Sequence, residues 1–307
     1  MATLFSQILT ILTLITGIVS LLNYAYFRKK RNAHYQLLQS KTEFSDIEKE
    51  KILQPGWFIE NCHSMFPVFA VVLILRSWIY EPFQIPSGSM LPTLRIGDFI
   101  LVEKFSYALK DPFFRKTLVD IAEPQRGDVV VFKYPLDESI DYIKRLVGLP
   151  GDTIYYRNKR LYIEPKECMQ INNQTECGLI EIPTQLVNSK QDIINSPFIS
   201  EYEETLGTVK HSIFIHNNLY DTTRAYFSQP DNETLGKWII PKEHYFVMGD
   251  NRDNSRDSRY WGFVNTDQLV GKATFIWMSF EFNRDENDIL PTWIPTDVRL
   301  NRIGKIQ

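Results

Sequence analysis

The chain has 307 residues, enough for one large or two small domains beyond any membrane part. Its 34 basic and 37 acidic side chains give a formal net charge of −3 at pH 7, which excludes a global pull toward nucleic acid. Aromatics at 13% and 16 prolines point to a folded, loop-rich body with several strands, and there is no internal repeat or low-complexity tract.

No charged side chain occurs in residues 1–27. At about 1.5 Å per residue this run is longer than the ~30 Å hydrocarbon core of a bilayer. "RKKR", residues 28–31, follows at once, and nothing basic but the terminal amine precedes it. A cleavable signal peptide has the opposite order. The expectation is a retained transmembrane helix over 1–27, with its N-terminus outside and "RKKR" in the cytoplasm. Residues 28–56 are polar and rich in both charges, and read as a cytoplasmic loop, helical in part. Residues 57–80 read as a second span. Their apolar core, 65–75, is short alone, and Glu60, His63 and Arg76 interrupt the stretch, although Arg76 can snorkel beside Trp78 and Tyr80. A second crossing places everything after Tyr80 outside. Cys168 and Cys177 lie close together in "ECMQINNQTEC", and an oxidising compartment there allows a disulfide between them, while Cys62 stands alone.

Strand signals dominate after Tyr80. "DFILVEKF", "GDVVVFKY", "DYIKRLVG", "DTIYYRNKRLYI", "HYFVMGD" and "LVGKATFIWMSF" are rich in β-branched and aromatic residues and are punctuated by Gly, Pro and Asp. "RNK" reads as a hairpin tip. The fold class is therefore mostly β: two N-terminal transmembrane helices, then an antiparallel β body. Residues 81–153 and 241–307 form its core, and the more polar stretch 154–240 reads as an inserted region.

Three features are able to carry chemistry. Ser87 and Ser89 flank Gly88, which lets backbone approach a ligand closely, though Ser-Gly-Ser also suits an ordinary turn. A serine needs a base. The histidines are His34, His63, His211, His216 and His244, and none sits in a distinctive motif. A buried lysine is the alternative, because burial favours the neutral amine. Lys104, Lys133 and Lys144 all fall in strand segments beside apolar neighbours. Tyr142 and Leu146 flank Lys144 on its own face, a slight preference only. The third feature is "GDNRDNSRDSR", residues 249–259. It resembles a calcium loop only loosely and reads either as a solvated loop laced by Asp–Arg pairs or as a rigid polar shelf.

"PSGSMLPTL", "GDFILVEKFSY", "RGDVVVFKYP", "DYIKRLVGLPGD", "GDNRDNSRDSRYWGFV" and "RLNRIGKI", in this order behind two apolar segments, resemble the bacterial type I signal peptidases (leader peptidases) over nearly the whole chain. The resemblance implies a serine endopeptidase with a Ser/Lys dyad, Ser89 as nucleophile and Lys144 as general base. It implies Ser87 and the Ser89 N–H as the oxyanion hole, Ser255 and Asp257 as residues that orient the dyad, and Arg145 as structural beside the base. It implies no cofactor and no metal. Secretory precursors with signal peptides ending in an A-x-A-like site are the implied substrates, cleaved through an acyl-enzyme, and the lipid bilayer and the secretion translocon are the implied neighbours. The implied location is the bacterial cytoplasmic (inner) membrane, multi-pass, with the catalytic body on the periplasmic side. An extended substrate would need small apolar pockets, for which Phe83, Ile85, Pro86, Met90, Leu94 and Ile143 are candidates, with core packing as their other reading. Trp277 and Trp293 would rest on the membrane surface or sit in the core. Three rival readings remain: a membrane-anchored extracytoplasmic β domain that binds peptides without cutting them, a Ser/His hydrolase using His244, and a calcium-dependent module.

Overall fold

A computed structural model describes residues 2–40, 44–110, 117–171, 174–187, 196–221, 223–230, 234–282 and 291–306. The chain forms two compact units, Met1–Ile79 and Tyr80–Gln307.

In the first unit, α1 (Ala2–Leu22) runs through a π-helical turn, Asn23–Phe27, straight into α2 (Arg28–Gln39). The helix thus continues through "RKKR", and most of the expected loop is helical. Ser45 caps α3 (Asp46–Leu53) through a reciprocal pairing with Glu48, the "SDIE" signature of a helix start. α4 (Trp57–Ile74) tolerates Pro67 in its interior and ends in a second π-helical turn, Leu75–Ile79. Two of these helical stretches are long and apolar enough to cross a membrane. Leu9, Thr13 and Thr16 recur at helical spacing and are buried, whereas Ile11, Leu14, Ile18, Val68 and Val71 lie exposed, as a lipid-facing surface requires. Gly17 is where α1 and α4 approach: a Cβ there would fall 2.8 Å from the Phe66 ring. The buried Thr13 and Thr16 hydroxyls donate to the carbonyls of Leu9 and Leu12, both at 2.7 Å, so neither is left unsatisfied.

The second unit is built on antiparallel sheets. Its strands begin with β1 (Tyr80–Gln84) and β2 (Asp98–Glu103), followed by a hairpin of β3 (Ala108–Lys110) and β4 (Thr117–Asp120). The pair β5 (Val129–Tyr134) and β6 (Asp137–Gly148) comes next. The inserted segment supplies β7 (Thr153–Arg157), β8 (Arg160–Glu164), β9 (Met169–Ile171), β10 (Gln174–Glu176), β11 (Ile180–Glu181), β12 (Thr184–Leu186), β13 (Ile199–Leu206), β14 (Val209–His216) and β15 (Lys237–Ile239). The chain then returns through β16 (His244–Met248), the single turn α5 (Ser258–Trp261), β17 (Val264–Asn265), β18 (Leu269–Glu281), β19 (Asp297–Val298) and β20 (Gly304–Lys305). The main sheet has the order β1-β2-β18-β5-β6-β16-β17, with β19 and β20 also paired to β18.

Both faces of this sheet are covered, which explains why "VVVF" in β5 is apolar throughout. Val129 and Val131 pack with Ile100, Val102 and Ile276 on one face, and Val130 and Phe132 pack with Leu146, Val247 and Leu269 on the other. The hairpin β7–β8 turns at Asn158 and Lys159, both at positive φ, the geometry of a two-residue turn, and this is where "RNK" placed the tip. The segment between β6 and β16 shares its core with the main sheet: Ile154, Tyr156, Trp238 and Ile240 pack with Val147 of β6 and with Phe246 and Met248 of β16. Cys168 and Cys177 are joined by a disulfide that closes the β9–β10 hairpin, and Cys62 is free and buried. Trp293 is 75% exposed and Trp277, edge-on to Phe99, is 40% exposed, so neither is a core residue.

Candidate active site

Ser89 opens the turn that follows β1. Ile85 anchors this turn to the start of β2, its N–H donating to Asp98 O and its carbonyl accepting from Gly97. Lys144 lies in mid-β6, opposite Val130 of β5. Tyr142 and Leu146 share its face by strand alternation. The amine is 2.7 Å from Ser89 Oγ and donates to the Ile143 carbonyl at 2.8 Å.

The three candidate lysines separate on their partners. Lys104 lies past the end of β2, in a 3₁₀ turn rather than on a strand, and pairs with Glu81 at 3.0 Å. Lys133 pairs with Asp141 at 2.8 Å. Lys144, 4% exposed, has no carboxylate within ion-pair distance among the described residues. Burial pushes its amine down to about 8, an effect that Asp257 and Asp250 oppose and Arg259 reinforces. The Tyr142 ring, 5.4 Å from Nζ, lines the amine's pocket.

The histidines lie elsewhere. His244 Nδ1 sits 2.8 Å from the Lys242 carbonyl, and its ring meets Phe263 edge-on. His211 is buried beside Glu204.

Residues 249–259 do not form the solvated loop the sequence allowed. Asp250, Asn251, Arg252, Ser255, Asp257, Ser258 and Arg259 are all buried. Asp257 and Arg259 pair within the loop at 2.8 Å, whereas Asp250, Arg252 and Asp253 reach outward. Asp250 receives Arg145 in a fork, Nε to Oδ1 at 2.9 Å and a terminal nitrogen to Oδ2 at 2.7 Å, and also the Thr93 hydroxyl at 2.5 Å. Asp253 pairs with Lys159 at 3.0 Å. With their oxygens committed to cations, these carboxylates form no calcium cage. Burial raises the Asp250 and Asp257 carboxyls, but Arg145 and Arg259 outweigh it and hold both below the usual carboxylate range.

This loop clamps the serine turn. The Asn251 N–H donates to Ser89 O at 3.1 Å and its side-chain amide donates to Gly88 O at 3.0 Å. Gly249 permits the approach: a Cβ there would come 2.5 Å from Ser89 O and closer still to Ser255 Oγ. Gly249→Ala is therefore expected to destabilise the fold by about 1–3 kcal/mol, since a Cβ there overpacks against the backbone of Ser89; thermal unfolding of the purified variant would read this.

The remaining expected residues divide. The Ser87 hydroxyl is exposed, 3.5 Å from that of Ser89. Arg145 holds Asp250 and the Gly127 carbonyl. Ser255 packs on Gly249, and Asp257 accepts from the Gly249 N–H and from Arg259; neither bonds the lysine. Among the pocket candidates, Phe83, Pro86 and Ile143 keep exposed surface, whereas Met90 and Leu94 are fully buried and Ile85 nearly so, packed with Ile100 and Val102. As placed, those three are core rather than pocket lining. Sequence reasoning missed Thr93, Gly249, Asp250 and Asn251. The alternation of Asp and Arg signalled ion pairing, but nothing local identified partners 48 to 105 residues away.

A family profile described as "Signal peptidase, peptidase S26" matches residues 58–278. Signal peptidase I of Buchnera aphidicola (subsp. Acyrthosiphon pisum) is 43% identical over 98% of this chain and 99% of its own length. The chain belongs to the signal peptidase family, peptidase S26. Signal peptidase I of Pseudomonas fluorescens is 39% identical over 90% of this chain and 92% of that protein. Signal peptidase I of Haemophilus influenzae is 36% identical over 97% of this chain and 90% of that protein. The chain is thus a peptidase by family, its two apolar helices suit membrane anchoring, and its alignment with these signal peptidases runs through both the helices and the β unit.

Proposed function

We propose that this signal peptidase removes signal peptides from secretory precursors by a Ser/Lys dyad, cutting after an A-x-A-like site through an acyl-enzyme. The observation that supports this most is the 2.7 Å contact between a buried, carboxylate-free Lys144 amine and the Ser89 hydroxyl. A neutral amine that donates to Ile143 O keeps its lone pair for the serine proton. Lys144 takes that proton as Ser89 Oγ attacks the scissile carbonyl. The Ser87 hydroxyl and the Ser89 N–H face the oxyanion. The protonated amine then delivers its proton to the leaving nitrogen, which breaks the peptide bond and leaves a Ser89 ester. A water molecule, deprotonated by Lys144, attacks that ester, and the proton returns to Ser89.

Two spans, 1–27 and 57–80, would hold the β unit on the periplasmic side of the inner membrane, with 28–56 in the cytoplasm. That placement suits a disulfide between Cys168 and Cys177, and it sets Ser89 shortly after the second span, where another chain's apolar segment leaves the bilayer. Phe83, Pro86 and Ile143 would meet the small residues of the cleavage site, and Met90, Leu94 and Ile85 would stiffen the wall behind them.

The pH dependence tests this reading. The base must be unprotonated, so kcat/KM for a purified precursor is expected to fall about tenfold per pH unit below about pH 8 and to level off above it. A profile flat from pH 6 to 9 would argue against Lys144 as the base.

A further inference from the structure

Glu204 and His211 belong to the inserted segment, and no catalytic group touches them. They are register partners on β13 and β14, and both are buried. Their hairpin is locked to the acidic loop by backbone: Phe214 forms a parallel bridge with Asn251 and donates its N–H to Asp250 O at 2.9 Å. The His216 N–H donates to Asp253 Oδ2 at 2.7 Å. The side chains add a buried ionic layer. Glu204 receives both terminal nitrogens of Arg252, one at 2.8 Å. His211 Nε2 stands 3.2 Å from Glu204 Oε2 and 3.9 Å from Asp250 Oδ1.

The layer balances as two carboxylates, Glu204 and Asp250, against two guanidiniums, Arg252 and Arg145. Burial, reinforced by Arg145, holds the imidazole below its usual value, so His211 fills the space between the two carboxylates without adding charge; Glu204 and Asp250 oppose that shift. Between Asp250 and Arg252 lies Asn251, whose two hydrogen bonds hold Gly88 O and Ser89 O. Asp250 also takes the Thr93 hydroxyl from the segment just after the serine.

We propose that Glu204 and His211 are positioning residues for the serine turn, acting through Arg252 and Asp250 to fix the backbone that Asn251 clamps. The proposal rests on the Ser89/Lys144 reading. Without the Glu204 carboxylate, Arg252 is a buried cation lacking its partner, and the segment relaxes to rehydrate it. Asn251 moves with that segment, and an ångström-scale shift of Ser89 breaks the contact with the amine.

The test uses the full-length chain in detergent, with kcat, KM and the thermal midpoint measured on a secretory precursor. Glu204→Gln is expected to lower kcat about tenfold to a hundredfold with KM changed less than about twofold, and His211→Gln to lower kcat about threefold or more. Glu204→Asp, which keeps the charge, recovers most of the rate. The double variant Glu204→Gln, Arg252→Met removes both buried charges; it is expected to regain the parent's thermal midpoint but not its kcat, because the anchor for Asn251 is gone. Two results overturn the proposal: a folded Glu204→Gln or His211→Gln with kcat within about twofold of the parent, or a double variant that regains both midpoint and rate. If Glu204→Gln does not fold, His211→Gln and the double variant decide. A Ser89→Ala control separates the two levels, since cleavage surviving there sinks the dyad reading whatever the hairpin variants do.

Discussion

Ser89→Ala and Lys144→Ala are each expected to lower kcat for precursor cleavage by about a thousandfold or more, with KM changed only a few-fold. The reason is specific to the site. Among the described residues no histidine touches Ser89, and the amine at 2.7 Å is the one group in reach that can take the hydroxyl proton. The two losses should not multiply in the double variant, because each removes the same proton transfer. Lys144→Arg should be as inactive as Lys144→Ala, since a guanidinium does not deprotonate in a protein. His244→Ala should leave the rate within about twofold of the parent, because that ring is bound to the Lys242 carbonyl and packs on Phe263. Initial rates on a purified precursor, with circular dichroism to confirm folding, check all five variants. Full cleavage by both Ser89→Ala and Lys144→Ala would mean that the dyad assignment is wrong and that another group performs the cut.

How much of this was readable in the amino acids depends on range. The strand segments were legible because alternation, β-branching and turn residues act within a few positions, as "DFILVE" and "VVVFKY" demonstrate. The hairpin tip at Asn158 and Lys159 was legible for the same reason. The helix through "RKKR" was not, because basic residues end a membrane span without ending a helix, and Arg28–Gln39 contains no residue that breaks one. Lys144 could not be separated from Lys104 and Lys133 by parity. The difference lies in which carboxylate each meets across the fold, Glu81 for one, Asp141 for another and, among the described residues, none for Lys144. Residues 249–259 show the same limit. Their alternating charges announced ion pairs, but Asp250 finds Arg145 and Arg252 finds Glu204, pairings that only the assembled sheets create. The resemblance to signal peptidases supplied the link between Ser89 and Lys144 that local pattern could not.

Two adjacent buried cations on β6 should respond to the same substitution with opposite signs. Arg145→Met removes the partner of Asp250, whose carboxylate is 1% exposed and would be left with the Thr93 hydroxyl and the nearby His211 ring. Breaking a buried pair in this way costs about 3–5 kcal/mol, and the unfolding midpoint should fall by roughly 10 °C. Lys144→Met removes a cation that has no carboxylate partner among the described residues. Its folded-state value of about 8 lies below the ordinary 10.5, so in the window between them the unfolded chain binds more protons than the folded one. Stability of the parent therefore rises with pH through that window, and below about pH 8 the full cost of keeping a buried ammonium applies, about 3 kcal/mol. Methionine fills the same volume without that cost and forfeits the amine's bonds to Ser89 and to the Ile143 carbonyl, worth about 1 kcal/mol each. Lys144→Met should thus be inactive yet about 1 kcal/mol more stable than the parent at pH 7, with that advantage lost as pH approaches 10.5. Thermal unfolding of both variants at pH 7 and pH 10 distinguishes the cases. A Lys144→Met protein less stable than its parent at pH 7 would mean that the amine is well solvated or paired in the folded chain, and the base would then lack the burial that makes it one.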